Sequence, residues 1–149
     1  MSAEENKALA RRIIEEAWNQ GNLAAAEELL APGYVGHNSQ VPNQPPSHDL
    51  YKQFIVTTRT AFPDFHATIE DQIAEGDLVM TRWSGRGTHQ GIHRGFAQGI
   101  PPTGKQMTVT GITIERIVDG KAVEGWMEMD VLGMMQQLGV MPHRGQPSP

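Results

Sequence analysis

The main change in the hydrophobic period of this chain falls at Phe62-Pro63-Asp64. Before that point apolar residues recur every three to four positions, and after it they alternate. Leu9, Ile13, Ile14, Ala17 and Trp18 set a helix over residues 2–19, with Ser2 and Glu5 as a capping box and Gly21-Asn22 as its stop. Ala24 to Leu30 reads as a second helix halted by Pro32-Gly33, and Tyr34 to Asn38 as a short strand. After the loop "SQVPNQPPS", Ser47 caps a third helix running to about Ala61. Four strands follow: Phe65 to Ala74, Leu78 to Thr88, Met107 to Val118 and Ala122 to Met129. The long loop "HQGIHRGFAQGIPPTGK" interrupts them, and Asp119-Gly120 is a strong hairpin turn. A last helix spans about Val131 to Leu138, with Gly139 behind it.

Helices first and hairpin-linked strands second specify an α+β fold, with helices packed on one face of a curved antiparallel sheet. A curved sheet closed by helices forms a cone around a central cavity, a ready small-molecule site. At 149 residues the chain suits one domain, expected over residues 1–140, with the Pro- and Gly-containing stretch 141–149 as a flexible tail.

Composition removes several classes of function. Net charge is −5 and no dense Lys/Arg cluster occurs, so no nucleic-acid partner is expected. The absence of cysteine excludes disulfides, thiolate metal sites and cysteine nucleophiles, and fits a reducing cytoplasm. No apolar run approaches a membrane span or a signal-peptide core, so no membrane partner is expected either.

The stretch "EGWMEMDVLGMMQQLG" begins as a strand and ends as a helix. Glu124, Trp126, Glu128 and Asp130 share one strand face by their even spacing. On a cavity wall, burial beside Trp126 would raise a carboxyl pKa and make it an acid/base near neutrality. On a solvated face the same residues do nothing of the kind, and Asp130 equally suits the N-cap of the last helix. His89 and His93 lie four apart, but glycines surround them and no third ligand is near in sequence, so no metal is expected. His89 follows directly from a strand and is expected at the cavity entrance, with His93 exposed. Arg82 and Arg86 share a face best read as the outer one. Val79, Trp83, Ile112 and Ile114 would leave an apolar sheet face uncovered, and a homodimer is expected to cover it.

Three segments together resemble the SnoaL-like polyketide cyclases, or ester cyclases, of the nuclear-transport-factor-2-like superfamily, distant from the ketosteroid isomerases. They are "WNQGNLAAAEELLAPGYVGHN", "GTHQGIHRGFAQGIPPTGKQMTVTGITIERIVDGK" and "VEGWMEMDVLGMMQQLG". The resemblance implies a cofactor-independent intramolecular aldol condensation of a polyketide or related β-keto compound. It also implies a carboxylate acid/base near the end of the last long strand. Asp130 matches that position best and Glu128 next. Asn38 stands where the isomerases carry their catalytic aspartate, Ile14 where they carry a tyrosine, and Thr113 where they carry an oxyanion-binding aspartate. All three depart from the isomerase pattern. Asn38 and His89 are then candidates to stabilise an oxyanion, and Trp18, His37, Trp126 and Thr113 to bind an apolar or polyketide-like ligand. A non-catalytic binding module, or a cofactor-free hydrolase or isomerase, is the alternative.

Overall fold

A computed structural model describes residues 2–39, 43–94, 99–142 and 145. Parts of the loops quoted above (40–42 and 95–98) and most of the expected tail (143–144 and 146–149) lie outside the described residues.

Helix α1 spans Ala3–Arg12 and opens on the expected capping box: Ser2 Oγ accepts from Glu5 N at 3.1 Å, and Glu5 Oε1 accepts from Ser2 N at 3.1 Å. The helix does not stay α-helical to its end. Ile13–Trp18 is wound as a π-helix, closed by an Asn19 N–H donating to Ile14 O at 3.0 Å. Helix α2 (Leu23–Leu29) passes straight into strand β1 (Leu30–Asn38). The Pro32-Gly33 pair therefore lies inside a strand and does not follow a helix as expected. The position tolerates proline because β1 is an edge strand whose register slips between Leu30 and Val35. Helix α3 (His48–Ala61) is capped by Ser47 Oγ, which accepts from Asp49 N.

Strands β2 (His66–Glu75), β3 (Leu78–Thr88), β4 (Gln106–Val118) and β5 (Lys121–Met129) pair in sequence as an antiparallel meander. Asp119 and Gly120, at φ of 51° and 77°, make the tight turn between β4 and β5. The sheet order is β1-β5-β4-β3-β2, and β1 lies parallel to β5. The expected all-antiparallel sheet is thus mixed at one edge. Hairpins impose antiparallel pairing only on β2 to β5, whereas β1 reaches β5 through α3 and the whole meander. Helix α4 (Val131–Gln137) closes the chain against β4.

Odd-numbered residues of β3 and β4 face inward. Val79, Thr81, Trp83, Met107, Val109, Glu115 and Ile117 are all buried. Val79 and Trp83 therefore belong to the core, and of the four residues expected on the outer face only Ile112 and Ile114 lie there. One core cluster gathers α1, α2 and β1 around Ile13, Leu29 and Tyr34, and a second gathers Phe62, Trp83, Val109 and Met134. Among the described residues no helix is long and apolar enough to cross a membrane.

Candidate active site

A cavity of about 960 Å³ opens between helices and sheet. The π-helical turn contributes Ile13, Ile14 and Trp18, and α3 contributes Tyr51, Phe54 and Thr58. The sheet contributes Thr81, Trp83, Thr113, Glu115, Met127 and Met129. The volume lies at the upper end of the range, roughly 300–1,000 Å³, that encloses most of a drug-sized ligand.

Into this apolar wall β4 delivers a carboxylic acid. Glu115 is 4% exposed and is the one buried carboxyl among the described residues. Tyr34 Oη donates to its Oε2 at 2.9 Å. Burial pushes the Glu115 carboxyl up to about 8, while the Tyr34 bond pulls it partly back. Tyr34 in turn is raised well above the usual tyrosine value, first by burial and then by the Glu115 charge. The pair fits only because its neighbour on β5 is glycine. Gly125 lies opposite Glu115, and a Cβ there would overlap the Tyr34 hydroxyl and press on Glu115 Oε2. A second polar pair sits beside it: Trp18 Nε1 donates to Tyr51 Oη at 2.7 Å, and the Tyr34 and Tyr51 rings pack edge to face at 5.3 Å. The remaining charged lining groups, Asp49, Lys52 and Arg94, are exposed or half-buried, and Asp49 pairs with Lys52 at 3.1 Å.

The residues singled out from the sequence divide. Trp18 and Thr113 line the cavity, Thr113 Oγ1 accepting from Trp83 Nε1 at 3.0 Å. His37, Asn38 and Trp126 also border it. His37 stacks on Trp126 at 5.1 Å and meets Glu124 through Nε2 at 2.8 Å. Glu128 and Asp130 are not brought to the cavity. The β4–β5 register sets Glu124 beside Arg116, Trp126 beside Ile114 and Glu128 beside Ile112 on the even face, and of these three only Trp126 reaches the cavity. The inner face of β5 is the odd one, with Gly125, Met127 and Met129. Glu128 is exposed and accepts from Ser39 Oγ at 2.8 Å. Asp130 is exposed and N-caps α4, Oδ1 accepting from Gly133 N at 2.8 Å.

Neither histidine lies where the sequence put it. Both are fully buried and neither lines the cavity. His89 packs against Phe62, and its Nδ1 accepts from Thr103 N at 3.2 Å. His93 Nε2 meets Thr58 Oγ1 at 3.1 Å, and burial, then the neighbouring His89, pushes its pKa down to about 4. The loop folds back on the last turn of α3, where Gln90 N and Gly91 N donate to Ala61 O, and this buries the pair. Among the described residues no three His, Cys, Asp or Glu side chains gather as a metal site.

A sequence signal for Glu115 existed. Met107, Val109, Thr113, Glu115 and Ile117 occupy alternate positions of one strand, so the carboxylate shares the face of an apolar series.

The family pattern described as SnoaL-like polyketide cyclase matches residues 8–138. The chain belongs to this family. Solved structures agree. AclR, a candidate hydroxylase from Streptomyces galilaeus, is 30% identical with a TM-score of 0.82, over 97% of this chain and 87% of that one. IdmH, a candidate polyketide cyclase from Streptomyces antibioticus, is 33% identical with a TM-score of 0.76, over 91% and 99%. A candidate polyketide cyclase from Acidithiobacillus ferrooxidans is 31% identical with a TM-score of 0.79, over 93% and 97%. No curated protein sequence matched. SnoaL-like folds thus carry names for more than one chemistry, and activity has to be argued from the cavity.

Proposed function

We propose that this SnoaL-like protein is a cofactor-independent cyclase that closes a ring in a β-keto substrate by intramolecular aldol condensation, with Glu115 as the acid/base. The observation that carries the reading is a buried carboxyl, held near a pKa of about 8, on the wall of a large apolar cavity. A base works best when its pKa lies near the operating pH. The Glu115 carboxylate takes the α-proton, the C–H electron pair becomes an enolate, and the enolate carbon bonds to a second carbonyl carbon of the same molecule. The proton on Glu115 then passes to the new alkoxide. Nothing is oxidised or reduced, and the acid ends as it began.

The test is turnover of a β-keto ester panel. Glu115→Gln should slow kcat by about 10²–10⁴-fold, the usual contribution of a general acid/base. For the wild type, kcat/KM should rise with pH and level off above about 8, the value to which burial pushes Glu115. The same series decides between Glu115 and the carboxylates expected from sequence. Loss of turnover in Asp130→Asn or Glu128→Gln, with Glu115→Gln fully active, would move the acid/base to them. A panel that binds but never turns over would favour the non-catalytic binding module.

A further inference from the structure

Tyr51 carries a hydroxyl that the fold has prepared and not used. Its oxygen accepts from the Trp18 indole, so its own proton must point elsewhere. Among the described residues no acceptor takes that proton, although Tyr51 lines the cavity. The indole donor is itself firmly placed. Trp18 ends the π-helical turn, and Arg59 Nη1 donates to the carbonyls of Trp18 at 2.9 Å and Asn19 at 3.0 Å. The Asn19 amide is locked onto β2, donating to Ala67 O at 2.9 Å and accepting from Ala67 N at 2.8 Å. A rigid N–H donating to a hydroxyl polarises it and makes it a stronger donor in turn.

On the opposite wall Glu115 uses one oxygen for Tyr34, and its Oε1 has no partner among the described residues. The Tyr34 ring packs against the Tyr51 ring, which brings the two polar pairs to one end of the cavity. That end therefore offers one directed hydrogen-bond donor and one proton-transfer group, with apolar walls around both.

We propose that Tyr51 is a catalytic oxyanion donor, set by Trp18 as its positioning residue, and that the site takes the enol or enolate form of a ligand whose oxygen meets Tyr51 Oη while its α-carbon meets Glu115 Oε1. This rests on the proton-transfer role given to Glu115 above. When the α C–H bond breaks, the proton goes to Glu115 and the electron pair leaves a negative charge on the carbonyl oxygen. Tyr51 donates to that oxygen, where a fixed donor in a dry site acts most strongly.

The test follows hydrogen–deuterium exchange at the α-carbon of a β-keto ester, which reads proton transfer without requiring ring closure. It is paired with binding of a 2-naphthol series whose hydroxyls differ in acidity. Tyr51→Phe keeps the ring and should slow exchange by about 10²-fold or more, the usual loss for one oxyanion donor, with KM little changed. Trp18→Phe should give a smaller loss, again in kcat and not in KM. In the wild type, affinity should tighten as the naphthol becomes more acidic, and Tyr51→Phe should flatten that slope. If Glu115→Gln stops exchange while Tyr51→Phe does not slow it, the Tyr51 assignment is overturned and the Glu115 reading stands. If neither substitution changes exchange, both are overturned. A Tyr51→Phe protein that loses exchange only in step with its melting temperature, with the naphthol slope intact, also overturns the assignment. Should no ester exchange at all, the naphthol slope decides alone: its loss in Tyr51→Phe supports Tyr51 as the donor, and its persistence refutes it.

Discussion

Replacing Glu115 with glutamine should remove a large loss of stability that the wild type suffers as pH rises. The native carboxyl is pushed from 4.5 to about 8 by burial, whereas in the unfolded chain it titrates near its ordinary value. A folded-state pKa raised above the unfolded one means the native state holds its proton longer. The Glu115 contribution to stability is therefore full below about pH 4.5, falls as pH rises from there through about 8, and is level beyond. At about 1.4 kcal/mol per pH unit, a window of roughly 3.5 units amounts to a loss on the order of 5 kcal/mol. That is comparable to the whole stability of a small domain. Glutamine is nearly isosteric, can still accept from Tyr34, and does not titrate. The variant should match the wild type near pH 4.5 and exceed it by several kcal/mol at pH 8.5. Urea midpoints of both proteins at pH 4.5, 6.5 and 8.5 measure the gap, because background titrations common to both cancel. A gap that stays constant across that range would refute the buried-carboxylate argument, and with it the pKa tuning on which the proposed acid/base role depends.

Three further outcomes follow from neighbouring contacts. Gly125→Ala should cost about 1–3 kcal/mol by overpacking, because its methyl group meets the Tyr34 hydroxyl and Glu115; melting curves and the pH profile of activity should shift together. His93, buried against Thr58 and pushed down to about 4, should make the protein lose stability as pH falls from about 6.5 toward 4; His93→Gln, which cannot protonate, should lose less over that interval in the same urea series. Ile73, Met80 and Ile114 are register partners in one row across the outer face. Sedimentation should find a homodimer covering that row, dissociated by Ile114→Glu; a wild-type monomer at micromolar concentration would refute it.

Much of the architecture was legible because local chemistry and long-range packing agree there. The period change at Phe62-Pro63-Asp64, the Ser2 and Ser47 caps and the Asp119-Gly120 turn each act within a few residues, and each appears as expected. What was less legible depends on which face a strand turns inward. The even face of β5 reads as a pocket wall by composition, with three carboxylates and an indole. The register against β4 instead pairs that face with Arg116, Ile114 and Ile112, and of its four residues only Trp126 reaches the cavity. A single strand cannot reveal this, because both of its faces alternate equally well. The decisive clue lay one strand earlier, where apolar Met107, Val109 and Ile117 fix the inward side and carry Glu115 with them. His89 and His93 escaped for a related reason. A loop rich in glycine has no period to read, and their burial comes from folding back onto the end of α3.

The position of Glu115 makes sense as a compromise between two demands on one strand. An apolar residue there would complete the series between Thr113 and Ile117 and remove a group whose burial opposes folding above its ordinary pKa. The chain instead surrounds the carboxyl with specific support. Tyr34 donates to one oxygen, and Gly125 removes a side chain so that the tyrosine can reach it. The rings of Tyr34 and Tyr51 pack edge to face beside it, and Trp18 donates to Tyr51. Each of these residues comes from a different element: β1, β5, α3 and the π-helical turn. A buried polar group that served only packing would be cheaper to replace than to support from four directions. The arrangement is the one expected where stability is given up locally to hold an ionisable group ready for proton transfer.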